Sequence, residues 1–168
     1  ALTHADPRAG QACALWSLAI DRAAREGVLD VRSGLEFVDD DEARTFWASR
    51  IEEAEQGPPS SFNPNGWVVS AFQAAWSAIL HTPVPSDEPA RHACDSLAAA
   101  IAIGDDTDTV AAIAGGLLGA RWGASAFPAR WREMLHGYPG ITGDDLATLA
   151  LANAGLGEGA GDGAGDTD

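Results

Sequence analysis

Apolar residues recur every three or four positions along most of the chain, which is the period of an amphipathic α-helix. The clearest stripe follows Asp6 and Pro7, because an aspartate can cap a helix start and proline fits the first turn. Gly27 is a typical helix end. A similar stripe predicts a second helix that begins at residues 39–41 and ends at the loop that starts at residue 56. Further stripes predict helices over residues 67–81, 87–103, 106–123, 128–135 and 144–153. No strand-like alternation stands out, so the pattern predicts an all-α bundle of six or seven helices.

The stripes also predict which side chains point inward. A residue on the apolar face of a helix is expected in the core, and its polar neighbours are expected in solvent. The inward faces are Val68, Phe72, Ala75, Trp76 and Ile79 in the helix over 67–81, and Ala90, Cys94, Leu97, Ala98 and Ile101 in the helix over 87–103.

Composition and charge exclude several classes of protein. The 168 residues have a formal net charge of −15, which argues against nonspecific binding to nucleic-acid phosphates. No apolar run is long enough to cross a bilayer, and no basic leader precedes an apolar block, so we expect neither a membrane partner nor a secretory signal. Cys13 and Cys94 lie far apart in predicted helices and are expected to be buried free thiols. The expected compartment is therefore the reducing cytoplasm.

The end of the chain differs in composition from the rest. After Gly155 the sequence is a Gly/Ala/Asp repeat, which is too polar and flexible to fold. We expect one helical domain over residues 1–154 and a disordered tail over residues 155–168.

The segment with the clearest chemistry is Gly104-Asp105-Asp106-Thr107-Asp108-Thr109. Its three carboxylates repel one another, and a divalent cation would relieve that repulsion. Hard oxygen ligands of this kind suit Mg²⁺, Mn²⁺ or Ca²⁺. Because residues i and i+2 of a helix point apart, Asp106 and Asp108 can share an ion only if Asp106 precedes the helix and Asp108 lies in its first turn. The Thr109 hydroxyl could then be a third ligand.

An alternative is that these acids only cap a helix and interact favourably with its dipole. That alternative leaves the following glycines unexplained, since a glycine inside a helix costs roughly 1 kcal/mol relative to alanine. Ala111, Gly115 and Gly119 form a face of small residues that would let another helix approach closely, either to support a rigid metal site or for packing alone.

Residues 104–120 resemble a segment of the ADP-ribosylglycohydrolase family, namely its Gly-Gly-Asp-Thr-Asp-Thr motif and the Ala/Gly-rich helix after it. Two weaker matches occur in the family's order. Leu2-Thr3-His4-Ala5-Asp6-Pro7-Arg8-Ala9 is similar to its Thr-His loop before a long helix. Asn65-Gly66-Trp67-Val68-Val69, followed by Ala74-Ala75-Trp76, is similar to its Gly-aromatic-Val-Val helix.

The resemblance implies an all-α fold, a compact multi-helix orthogonal bundle, here without the N-terminal part. It also implies two divalent ions, usually Mg²⁺ or Mn²⁺. Asp106, Asp108 and Thr109 would be metal ligands, while Asp105 stands where the family has its second glycine. His4 would lie near bound ADP-ribose, or else would be a capping or core histidine. Gly66 and Trp67 would form the pocket wall, with core packing as the alternative for Trp67.

The chain departs from the family in one large respect, because it has neither the Thr-Asp-Asp-Thr metal motif nor the catalytic glutamate of the family's N-terminal part. No catalytic residue can therefore be assigned. The function implied is metal-dependent hydrolysis of ADP-ribosyl bonds, in an ADP-ribosylated protein or a small molecule, with this fragment inactive alone and its own missing N-terminal portion as a partner. One alternative is a non-catalytic relative that binds ADP-ribose or a protein, and another is a helical bundle with a chance acidic cap.

Overall fold

The structure, a computed structural model, describes residues 4–155. The predicted disordered tail lies outside these residues except for Gly155, as do Leu2 and Thr3. The described residues form two compact units that divide between Ala126 and Phe127, a division that the sequence pattern did not indicate. The first unit contains α1 (Pro7–Glu26), α2 (Asp41–Gln56), α3 (Val68–His81), α4 (His92–Ala102) and α5 (Thr107–Trp122), and short 3-10 helices at Arg32–Phe37, Pro59–Ser61, Pro89–Arg91 and Ala124–Ala126.

The second unit contains α6 (Ala129–Met134), β1 (His136–Gly137), β2 (Ile141–Thr142) and α7 (Gly143–Asn153). The strands pair antiparallel, with His136 opposite Thr142 and Gly137 opposite Ile141. The sequence pattern did not predict these strands, because two residues are too few to show an alternating pattern. The prediction of an all-α protein is nevertheless confirmed, since helices dominate the described residues.

Local signals set the helix ends. Asp6 precedes α1, and its carboxylate accepts a hydrogen bond from the Arg8 amide at 2.9 Å. Gly27 ends the same helix with a φ of 67°, a left-handed conformation that glycine adopts easily. The carboxylate of Asp40 caps α2 in the same way, through the Ala43 amide. The predicted ends of these helices are therefore confirmed to within about two residues, the usual uncertainty of helix boundaries.

The core of the first unit surrounds α3, which packs against α1, α2, α4 and α5. Three aromatic rings meet at its centre: Phe72 lies 5.0 Å from Trp16 and 5.1 Å from Trp47, between ring centroids. Edge-to-face and tilted contacts of this kind add to the burial of large apolar surfaces. No helix among residues 4–155 is long and apolar enough to cross a membrane.

The predicted inward face of α4 is wrong. Ile101 is 53% exposed and Ala98 is also exposed, whereas His92, Ser96 and Ala100 are buried. The polar face of α4 can be buried because the His92 ring has hydrogen-bond partners within the core. Its Nε2 lies 3.1 Å from the Ile79 carbonyl oxygen and 3.2 Å from the Ser96 hydroxyl. Apolar periodicity alone does not show that a polar face has such partners.

Two smaller expectations also change. Cys13 and Cys94 are both free, but neither is fully buried: Cys13 is exposed, because its side of α1 borders an open groove, and Cys94 is half-buried. Gly115 faces Leu97 of α4, and a methyl group added there would lie 3.8 Å from the leucine. That is an ordinary contact distance, so helix packing does not require a glycine at this position.

Candidate metal and substrate site

The acidic segment lies at the start of α5. Asp106 is the residue before the helix, with φ −82° and ψ 64°, and Asp108 lies in the first turn. This is the arrangement that the spacing requires if both carboxylates are to reach one ion. The carboxylate of Asp106 makes no capping hydrogen bond, so the alternative of a capping role for this residue does not fit the structure.

The oxygen atoms of Asp106, Asp108 and Thr109 are available to a ligand. Among residues 4–155 these three side chains take part in no hydrogen bond or ion pair. Asp106 is half-buried, whereas Asp108 and Thr109 are exposed. Two carboxylates and a hydroxyl are hard donors that fit Mg²⁺ or Mn²⁺. In the part of the chain that the structure describes, no group of three or more His, Cys, Asp or Glu side chains is placed to hold a metal ion.

A loop distant in sequence holds the turn before α5. Asn65 is completely buried, and its side-chain oxygen accepts a hydrogen bond from the Asp106 amide at 2.9 Å. Its side-chain nitrogen donates to the Gly104 carbonyl oxygen at 3.1 Å. Asn63 donates in the same way to the Ile103 carbonyl oxygen at 2.9 Å. Residues 63–65 are thereby fixed against the turn that carries the acidic segment.

Asp105 has an unusual backbone conformation, with a φ of 63° in the left-handed region that favours glycine. This is the position at which the family motif has its second glycine. The Asp105 carboxylate accepts a hydrogen bond from the Asn65 amide at 3.0 Å, so the side chain of Asp105 itself helps to stabilise the turn. The Asp105 carboxylate is therefore engaged in a hydrogen bond within the protein, whereas the carboxylates of Asp106 and Asp108 form none with the described residues.

The Asn65 loop also contacts the N-terminal segment. The indole N–H of Trp67 donates to the Asp6 carboxylate at 3.4 Å. Asp6 follows the loop that contains His4, which is exposed. The structure thus joins the three sequence segments that carry the resemblance, through hydrogen bonds from 65 to 104–106 and from 67 to 6.

The two alternatives considered for Trp67 and His4 do not fit. Trp67 is 53% exposed, so it is not a core residue. His4 is exposed, and the cap of α1 comes from Asp6. Gly66 is exposed as well, and no atom lies within 4 Å of a side chain added there. These three residues are open to solvent next to the Asn65 loop, and their roles toward a substrate stay predictions.

An apolar cavity of about 210 Å³ lies between α1, α3 and α5. It is bordered by Val68, which follows Trp67, and by Ile113, one helical turn after Thr109. Cys13 and Ser17 contribute the few polar atoms of its wall. The cavity was not predicted, because it depends on how three helices pack against each other.

The sequence pattern did not indicate that Asn63, Asn65 and Asp105 support the turn before α5. Asparagine is common in exposed loops, and nothing in the sequence near Asn65 indicates that its side chain is buried. The one available signal was Asp105 itself, because a non-glycine residue in a glycine position of a turn needs compensating contacts.

Comparisons with known proteins agree with the three linked segments. No curated protein and no solved structure matches the chain. The sequence profile of the ADP-ribosylglycohydrolase family matches residues 1–162, which includes all three segments and both structural units. The chain therefore belongs to the ADP-ribosylglycohydrolase family.

Proposed function

We propose that this chain supplies part of a divalent-metal site in a hydrolase that cleaves ADP-ribosyl bonds. The observation that carries the proposal is the arrangement at the start of α5. Asp106, Asp108 and Thr109 offer three side-chain oxygen groups that have no partner among the described residues, and the turn beneath them is held by Asn65.

The proposed cofactor is Mg²⁺ or Mn²⁺, with two ions in the complete site, held on this side by Asp106, Asp108 and Thr109. When bound, the metal would position the ribose hydroxyls and activate water for attack at the anomeric carbon. The carboxylates supply negative charge to the ion, and the Thr109 hydroxyl supplies a neutral oxygen. No residue of this chain is assigned as the general acid or base.

The proposed substrate is an ADP-ribosylated protein or an ADP-ribosyl small molecule. Trp67 presents an exposed indole whose N–H is anchored on Asp6, so a flat apolar surface stands beside the Asn65 loop. Aromatic faces of this kind are suited to stacking against planar ligand groups. Gly66 leaves the backbone beside it uncovered, and His4 adds a ring that can donate or accept a hydrogen bond.

We further propose that this chain alone has little or no hydrolase activity and needs a segment bearing the Thr-Asp-Asp-Thr motif and a glutamate, its own N-terminal portion. The supporting observation is that the sequence contains neither feature. The second candidate is a non-catalytic relative that binds ADP-ribose or a protein partner. The two free cysteines are consistent with a reducing compartment, and we propose the cytoplasm.

Metal binding can be tested by the effect of Mn²⁺ or Mg²⁺ on the melting temperature, since an ion that binds only the folded chain stabilises it. We expect a rise for the wild-type chain and none for Asp106→Asn/Asp108→Asn. Asp39→Asn/Asp41→Asn is the matched control, because it removes the same charges at the same spacing from the start of α2. An equal rise in both double variants would refute the metal site.

Catalysis requires a separate assay. ADP-ribose release from ADP-ribosylated arginine and serine peptides should be at background for this chain with Mn²⁺. Clear release would refute the proposed inactivity of the fragment. Binding of free ADP-ribose without release, even after addition of the N-terminal portion, would favour the non-catalytic candidate.

A further inference from the structure

Asn65 is joined to three consecutive residues of the turn before α5. Its side chain accepts from the Asp106 amide at 2.9 Å and donates to the Gly104 carbonyl oxygen at 3.1 Å. Its own amide donates to the Asp105 carboxylate at 3.0 Å. The Asn65 side chain is completely buried, whereas Asp105 is exposed and Gly104 and Asp106 are half-buried. The Asn65 end of these hydrogen bonds is therefore shielded from water, which favours one geometry.

The consequence for Asp106 is that both of its backbone groups are engaged. Its amide is bound to Asn65, and its carbonyl oxygen accepts from the Val110 amide at 3.2 Å. An aspartate at the start of a helix usually turns its carboxylate back to the helix amides. Here the carboxylate makes no such bond. The backbone is fixed while the carboxylate stays available.

The turn is not held by its own conformational preference. Gly104 and Asp105 both have positive φ, 86° and 63°, a conformation that glycine adopts freely and aspartate only occasionally. Without external hydrogen bonds this turn would relax toward ordinary helical or extended angles. The direction of the Asp106 carboxylate relative to Asp108 and Thr109 would then vary.

We propose that Asn65 is a positioning residue for the metal ligand Asp106, with Asp105 as its support; this rests on the metal site of the proposed function. Asn65 does not touch the ion. It fixes the backbone from which a ligand projects, so that less freedom is lost when the ion binds. Outer residues that orient metal ligands in this way commonly contribute about tenfold or more to metal affinity.

The test compares Asn65→Ala with Asn63→Ala in the 168-residue chain. Both variants remove an asparagine amide that bonds a backbone carbonyl before α5, but only Asn65 contacts Asp106. Mn²⁺ affinity is measured from the electron paramagnetic resonance signal of free Mn²⁺, at a temperature where each variant is folded. We expect Asn65→Ala to weaken binding about tenfold or more and Asn63→Ala to change it less than about threefold.

A second pair covers the case in which Asn65→Ala does not fold. Asp105→Asn and Asp105→Ala remove the same charge, but the asparagine oxygen can still accept from the Asn65 amide and asparagine tolerates positive φ. Asp105→Asn should retain the Mn²⁺ affinity of the wild type better than Asp105→Ala, by about threefold or more. Equal affinities in both pairs would overturn the positioning role.

A metal-free measurement separates this inference from the proposed function. Amide hydrogen exchange of Asp106 should be slow in the wild type and in Asn63→Ala, and fast in Asn65→Ala. If the amide is protected but the wild type binds no Mn²⁺ even after addition of the N-terminal portion, the metal site fails and the positioning role fails with it. If the wild type and Asn65→Ala bind Mn²⁺ equally, the inference fails while the proposed metal site stands.

Discussion

The indole N–H of Trp67 donates a hydrogen bond to the Oδ2 of Asp6, 61 residues earlier in the chain, at 3.4 Å. The other oxygen of the same carboxylate caps α1 through the Arg8 amide at 2.9 Å. One side chain therefore both starts a helix and joins the N-terminal segment to the Asn65 loop. These two roles can be separated by substitution.

The first prediction concerns Asp6. Asp6→Ala should lower the free energy of unfolding by about 1 kcal/mol because the cap is lost, and Asp40→Ala at the start of α2 should cost a similar amount. In a Trp67→Phe background the cost of Asp6→Ala should fall by up to about 0.5 kcal/mol, the value of an exposed hydrogen bond. Urea unfolding of the four chains of this double-mutant cycle measures the difference. Fully additive effects would show that the Trp67 bond contributes nothing to stability.

The second prediction concerns His92, the first residue of α4, whose side chain is buried. The Trp122 indole can only donate, so the Nδ1 of His92 accepts its hydrogen bond at 3.2 Å, and the Nε2 carries the proton toward the Ile79 carbonyl. His92→Ala should lower the free energy of unfolding by about 2–4 kcal/mol, because it leaves a cavity and unpaired polar groups. The control is His136→Ala, because His136 is exposed. Urea unfolding measures both variants, and an equally small effect at the two positions would contradict the buried, hydrogen-bonded state of His92.

The third prediction concerns the pH dependence of α7. The Thr142 amide and hydroxyl both donate to Asp145 at 2.8 and 2.7 Å, and these bonds lower the pKa of Asp145 below its ordinary value of 3.8. Because the pKa is lower in the folded state, the interaction stabilises at pH values above the unfolded pKa and is lost as the pH falls through the folded pKa. The amide shift of Thr142 should therefore titrate with a midpoint below 3.8 by NMR.

Asp145→Asn is the control for this titration. The asparagine oxygen can still accept from the Thr142 amide, but it does not ionise, so the pH-dependent shift of Thr142 should disappear. A carboxyl carbon of Asp145 that titrates at or above 3.8 would show that the capping box is not formed in solution.

The fourth prediction concerns the two thiols. Burial raises the pKa of Cys94, with the nearby carboxylates of Asp95 and Glu88 acting in the same direction, and its thiol lies 3.4 Å from the Ala126 carbonyl oxygen. Cys13 is exposed. Since the thiolate is the reactive form, a disulfide reagent such as DTNB should label Cys13 about tenfold or more faster than Cys94 at pH 8. Cys13→Ser should remove the fast phase and Cys94→Ser the slow phase. Similar rates in both variants would contradict the partial burial of Cys94.

Much of the fold was predictable because helix ends are set locally. Asp6, Pro7 and Gly27 bound α1 as their residue types indicate, and the α5 helix begins after Asp106, as the metal hypothesis requires. The inward face of α4 was not predictable, since buried His92 is paired with the Ile79 carbonyl and the Trp122 indole, and buried Ser96 is paired with His92. A helical stripe records hydrophobicity but not the partners that a polar residue will meet.

The sequence by itself determined which residue types are present at the candidate site: two carboxylates and a hydroxyl at a helix start, and the motifs that identify the family. Tertiary structure alone decided that the Asn65 side chain is hydrogen-bonded to the Asp106 amide and that the Trp67 indole is hydrogen-bonded to Asp6. It also decided that Trp67 is exposed to solvent. The reason is physical. Capping and turn signals act over a few residues, whereas these contacts join positions about forty and sixty residues apart and exist only once the helices have packed.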